Sequence, residues 1–222
     1  PAPQRFMELV HVCQPHLSVN YSERREEGPK LQVLLNPARA GVCRPLPELK
    51  GDIDGVALTR LHGKFKDENF EYNRDCNVYE FTGDKALLAT RKENPDAVVT
   101  LTDGKTSYSV KVKNLFVPRT LRVEGALVAG TEGVFRIEPP GDIVGENPVF
   151  QLLFIAGEIK QKVEAQWIDG GIHAVVPADI HGEATVEWFG TGFVQPNVEA
   201  CTATLCTASR TVVAAPFTVS VK

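Results

Sequence analysis

The sequence predicts an all-β protein of two β-sandwich-like domains, the C-terminal one immunoglobulin-like, with at most one short helix in the N-terminal half. Three observations carry this. Val and Thr are frequent, and strong helix-forming runs are scarce. Apolar and polar residues alternate in many short stretches, the period of a strand with one wet face. Turn residues separate those stretches, with 18 Gly and 15 Pro in 222 residues, a punctuation too dense for long helices.

The second half is the plainer. Strand-like runs are "LRVEGALV" (121–128), "GVFRIEP" (133–139), "VFQLLFIA" (149–156), "KQKVEAQWI" (160–168), "IHAVVPA" (172–178), "EATVEWFG" (183–190) and "PFTVSVK" (216–222). Val163, Ala165 and Trp167 alternate with Glu164 and Gln166, and Ala184, Val186 and Trp188 with Thr185 and Glu187. Both tryptophans are expected to be sealed between two layers. Seven strands in about 100 residues have the size and rhythm of an immunoglobulin-like sandwich. The Cys…Trp…Cys pattern of true immunoglobulin domains is absent, so the expectation is architectural.

In the first half, "AVVTLTDGKTSYSVKVKN" (97–114) sets Asp103-Gly104 between two alternating runs, the strongest short-range hairpin signal. "LSVNY" (17–21) and "KLQVLL" (30–35) flank a charged turn and predict a second hairpin. "DKALLATRKENP" (84–95) is the place for a short helix, stopped by Asn94 and Pro95. A boundary is expected near Pro118, giving domains 1–118 and 119–222. Charge changes there, from 17 basic and 16 acidic side chains before it to 7 and 12 after.

Composition excludes some functions. A net charge of -4 without a basic cluster does not suit a phosphate-tracking surface, so no nucleic-acid partner is expected. No apolar run approaches the roughly 18 residues of a membrane helix. The chain opens on Pro1, and "PAPQ" has no signal-peptide core. A trimmed or mature form is expected, with any targeting signal upstream.

Five cysteines carry the next inference. Cys201 and Cys206 enclose four residues, a spacing that suits a disulfide across a tight hairpin. Cys43 and Cys76 form the second candidate pair, with Cys13–Cys43 and Cys13–Cys76 as alternatives. Zinc would need a second ligand cluster, and His11, Cys13 and His16 lie in the other domain. Two disulfides imply an extracellular, cell-surface or periplasmic protein. "NYS" (20–22) is an acceptor sequon for N-glycans.

Catalytic motifs are absent. There is no G-x-S-x-G elbow, P-loop, dinucleotide fingerprint or HExxH. His173 and His181 flank a possible turn but read as surface residues. Carboxylates and aromatics are densest in 66–81, where Asp67, Glu71, Tyr72, Asp75 and Tyr79 are candidates for a ligand surface. A glycosidase would need two such carboxylates at a set separation. A carbohydrate-binding surface needs only exposed aromatics and hydrogen-bonding groups. "GDIDG" (51–55) offers Asp52 and Asp54 to a cation, alone or with Asp142 or Glu146, but reads first as a tight turn. No metal and no cofactor is expected.

The leading expectation is therefore a non-enzymatic, exported or cell-surface binding or structural module with a protein or carbohydrate ligand. The alternatives are a glycan or peptide hydrolase with its site at 66–81, and an intracellular scaffold with immunoglobulin-like domains and reduced cysteines.

Overall fold

The computed structural model describes residues 14–24, 28–37, 45–66, 68, 71–89, 91, 94–141, 143–144, 150–189, 193–211 and 216–222. The chain divides into two compact units. Unit 1 comprises Pro1–Phe116 and Pro196–Arg210, and unit 2 comprises Val117–Gln195 and Thr211–Lys222. The first crossing falls between Phe116 and Val117. The contiguous domain 119–222 does not survive, because the stretch 196–210 leaves unit 2 and is built into unit 1.

Unit 1 holds strands β1 (Pro15–Arg24), β2 (Gly28–Pro37), β3 (Lys50–Ile53), β4 (Val56–Ala57), β5 (Thr59–Arg60), β6 (Lys64–Lys66), β7 (Glu71–Asn73), β8 (Val78–Glu80), β9 (Ala97–Thr102) and β10 (Ser107–Val112). A five-residue helix, α1 (Lys85–Ala89), stands where the sequence placed it. Asp84 caps it, its Oδ1 accepting from Ala86 N at 2.9 Å. Unit 2 holds β11 (Thr120–Glu124), β12 (Glu132–Glu138), β13 (Ile143–Val144), β14 (Phe150–Ala156), β15 (Ile159–Ile168), β16 (Gly171–Val175), β17 (Gly182–Phe189), β18 (Phe193–Val194) and β21 (Phe217–Val221). Between β18 and β21 the chain returns to unit 1 as β19 (Val198–Cys201) and β20 (Leu205–Thr211).

Two sheets make unit 1 a sandwich, with orders β20-β1-β2-β8-β5 and β19-β10-β9-β3-β4. Alternation decides the inner faces. Leu17, Val19 and Tyr21 of β1, and Leu31, Val33 and Leu35 of β2, are buried from the first sheet. Val99 and Leu101 of β9, and Tyr108, Val110 and Val112 of β10, meet them in one core. Both predicted hairpins form, with Tyr21 opposite Leu31 and Leu101 opposite Tyr108. Asp103 Oδ1 closes the second turn by accepting from Lys105 N at 2.8 Å and Thr106 N at 2.6 Å.

The returning segment seals one side of this sandwich. β20 runs parallel to β1, pairing Leu17 with Cys206 and Tyr21 with Arg210. β19 pairs with β10 in the opposite sheet. Cys201 and Cys206 are joined in a disulfide with a Cα–Cα distance of 5.8 Å. The bridge therefore ties the end of β19 to β20, one from each sheet. So small a ring restricts the unfolded chain by about 2 kcal/mol. Arg210 is buried, its guanidinium 4.7 Å from the Tyr21 ring centroid and bonded to Leu115 O at 3.1 Å. Glu23 balances the charge, 3.4 Å from Arg210 Nη2 and accepting from Tyr21 OH at 2.6 Å. Burial, with Glu23 beside it, pushes the Tyr21 phenol far above its ordinary value.

Unit 2 is built on one all-antiparallel sheet of seven strands. Its order is β11-β12-β16-β15-β14-β17-β21. β15 pairs along Ile159–Ala165 with β14 and along Ala165–Ile168 with β16. The far edges also meet, since Leu127 bridges Val221 in parallel. Gly133 permits this, because a Cβ there would lie 2.5 Å from Leu127 Cδ2. Phe135 of β12 faces Phe154 of β14 and Phe217 of β21 edge-on, at 6.4 and 6.1 Å between centroids. Trp167 and Trp188 are partly buried against this core, which corrects the expectation that they are sealed. Trp167 lies one residue from the end of β15, next to the turn at Asp169 and Gly170, and large indoles are rarely enclosed fully at such ends.

Candidate functional site

The segment singled out by its carboxylates and aromatics builds a hairpin with a supported base. β6 and β7 form a two-stranded sheet of their own, with Phe65 opposite Tyr72 and Lys66 opposite Glu71. Lys64, Phe65 and Lys66 are all exposed, Phe65 at 38%. Lys64 Nζ stands 3.6 Å from Glu71 Oε1. A lone hairpin is marginal in water, so its base must be held.

Asp75 does much of that holding. Its Oδ1 accepts from Gly63 N at 3.1 Å and lies 3.3 Å from His62 Nδ1. Gly63, at φ 75°, also accepts from Arg74 N at 2.8 Å. The adjacent Cys76 is in a disulfide whose partner lies outside the described residues. With Cys201 and Cys206 paired together, the chain's remaining cysteines are Cys13 and Cys43, both outside the described residues.

The Gly63 amide, then His62, hold the Asp75 carboxyl below its ordinary value of 3.8. A depressed carboxyl stabilises the base above its unfolded pKa, and that contribution is lost as pH falls through the folded value. Asp75 is expected to titrate below 3.8, and the Gly63 amide resonance to move with it in an NMR pH series. A Gly63 resonance unmoved across that titration would remove Asp75 from the base.

Beneath the hairpin the polar residues are structural. Tyr79, a candidate for the ligand surface, is corrected: it is 1% exposed and belongs to the core. Alternation along β8 turns Val33's partner inward, and that partner is Tyr79. Its hydroxyl donates to Leu49 O and accepts from Arg60 Nη1, both at 2.8 Å. Desolvation raises the Tyr79 phenol above its ordinary value. Arg60 also donates to Leu46 O at 2.8 Å and to Asn77 Oδ1 at 2.9 Å. Asn77, fully buried at φ 59°, accepts from Leu46 N at 2.7 Å and donates to Leu35 O at 3.3 Å.

Of the other candidates, Glu71 and Asp75 share the hairpin and its base. Asp67 and the Tyr72 side chain lie outside the described residues, as do Asp142 and Glu146. Asp52 and Asp54 are used in the β3–β4 turn, which reads as the two-residue type with positive φ at Asp54 and Gly55. Asp52 Oδ1 accepts from Gly55 N at 3.0 Å. Asp54 accepts from Val98 N at 2.9 Å and pairs with Arg91. His173 Nδ1 sits 2.8 Å from Glu132 on the outer face of unit 2. Among the described residues no three His, Cys, Asp or Glu side chains converge as a metal site.

Chemically the hairpin offers an exposed aromatic ring on one face of β6 and two ammonium groups on the other, with the Glu71 carboxylate across from Lys66. A general acid needs a carboxyl raised towards neutrality, and Asp75 moves the other way. Sequence reasoning passed over Phe65. The signal was "KFK" (64–66), an apolar residue framed by two that must stay in water.

No family model matches the chain. No curated protein matches it either. Among solved structures, the FN1–FN3 domains of chicken CNTN1 align over 96% of this chain and 66% of that one, at 8% identity and a TM-score of 0.23. The chain thus spans just under two thirds of the length of that neighbour. So slight a likeness carries no argument, and the all-β architecture rests on the strand pairing itself. No helix among the described residues is long and apolar enough to cross a membrane.

Proposed function

We propose that the chain is a non-enzymatic, exported or cell-surface binding module, and that the β6–β7 hairpin is its contact arm for a carbohydrate or protein ligand. The disulfides carry the reading. Cys201–Cys206 ties two sheets of unit 1 together, and Cys76 is bridged at the base of the arm. Structural disulfides persist in oxidising compartments. The arm supplies what a binding surface needs, an exposed aromatic with charged neighbours. The carboxylates beside it serve turns and ion pairs.

The test has two parts. Intact mass before and after reduction, with thiol alkylation, is expected to show two bridges and one free thiol; five free thiols would return the intracellular scaffold to the lead. The oxidised protein is then applied to an immobilised glycan panel and to a panel of cell-surface ectodomains. Phe65→Ala is expected to weaken any capture by about tenfold or more, the cost of an aromatic anchor. Capture unaffected by Phe65→Ala would move the contact elsewhere.

A further inference from the structure

We propose that Asn20 is an N-glycosylation site, taking an oligosaccharide from a lipid-pyrophosphate donor. The inference rests on the exported reading above. Of nine asparagines in the chain, Asn20 alone opens an Asn-X-Ser/Thr sequon, followed by Tyr21 and Ser22. By itself that is a short motif; the fold adds the rest.

Strand geometry sorts the three residues. Tyr21 is 1% exposed and enters the core of unit 1. Asn20 and Ser22 therefore share the outer face of β1. The middle of the sequon is an anchor, and its two recognised side chains face outward together. Asn20 sits mid-strand, opposite Gln32 of β2 and Ser209 of β20. Around it on the same face stand Ser18, Ser22, Gln32, Leu34, Thr207 and Ser209, with Lys30 opposite Ser22 and Glu80 opposite Gln32. Hydroxyl and amide side chains can exchange hydrogen bonds with sugar hydroxyls at little desolvation cost.

The carboxamide is oriented for a substituent on nitrogen. Ser209 Oγ donates to Asn20 Oδ1 at 2.5 Å, fixing the oxygen. Nδ2 makes a 3.4 Å contact with Ser18 Oγ. One amide hydrogen suffices for that contact and the other is available for replacement. In the transfer the Nδ2–C1 bond forms and the C1–O bond to pyrophosphate breaks. The pyrophosphate leaves with the electron pair, and the amide proton passes to a base of the transferase. The product keeps one N–H, so the Ser18 and Ser209 contacts can persist. A glycan here would stand over the face and add bulk and solubility without blocking the ladder of β1.

The full chain, fused to a cleavable secretion leader, is passed through a eukaryotic secretory pathway. Expected is a mass above that of the polypeptide, removed by N-glycanase, which leaves a carboxylate at position 20 and a peptide about 1 Da heavier. Asn20→Gln and Ser22→Ala are expected to abolish the added mass, and Ser22→Thr to keep it. Should the first two fail to fold, the peptide map of the wild type and of Ser22→Thr still decides. A secreted chain with both disulfides formed and Asn20 unmodified overturns this inference alone. Five free thiols with no glycan overturns the exported reading and this inference with it.

Discussion

Asn77→Ala is expected to lower the stability of unit 1 by about 3 kcal/mol. Two costs combine. The residue sits at φ 59°, a left-handed conformation that costs an alanine about 1 kcal/mol or more. Its carboxamide also serves Leu46 N, Arg60 and Leu35 O inside a fully buried site, and alanine leaves those groups unmatched at about 1–3 kcal/mol. Asn77→Gly separates the two, since glycine keeps the backbone and loses only the side-chain bonds. The ordering wild type, then Gly, then Ala, in urea denaturation followed by far-UV circular dichroism, is the expected result. Equal stability of Gly and Ala would show that the conformation costs nothing and that the bonds alone matter. The same change should speed hydrogen exchange at the Leu46 amide, beside the base of the arm.

The two hairpins of unit 1 were legible because their signals are local. Asp103-Gly104 sits between matched runs, and a four-residue turn needs nothing from elsewhere. The strands of unit 2 were legible because each alternates within itself. The excursion 196–210 was not. β1 meets β20 across 189 positions, as in the pairing of His16 with Leu205, and distance in sequence leaves no periodic trace. The segment "NVEACTATLCTASRT" is also small and polar, with Ala208 and a buried Arg210 where a strand pattern wants Val or Ile. Only the cysteine spacing marked it. In the candidate site, the carboxylates were read by density and the structure distributed them by geometry. Tyr79 looked like a surface aromatic among acids, yet its parity on β8 sends it inward; Phe65, outside the acid cluster, takes the exposed place.

Phe135→Ala should cost unit 2 about 3–5 kcal/mol, the usual range for emptying a buried phenylalanine site. The argument is positional. Phe135 is fully buried and meets rings from two non-adjacent strands of the same sheet, β14 through Phe154 and β21 through Phe217. The cavity left behind is walled by side chains from different strands and cannot close by one small shift. Phe135→Leu keeps most of the volume and should cost about 1–2 kcal/mol. The chain carries its own reporter, because Trp167 and Trp188 are its two tryptophans and both pack against this core. With a urea m-value of about 1–3 kcal/mol per M, the Trp-detected midpoint should fall by roughly 2 M for Phe135→Ala and by well under half of that for Phe135→Leu. A midpoint that hardly moves for Phe135→Ala would mean that the core of unit 2 does not depend on these ring contacts, and the packing of β12 against β14 and β21 would have to be given up.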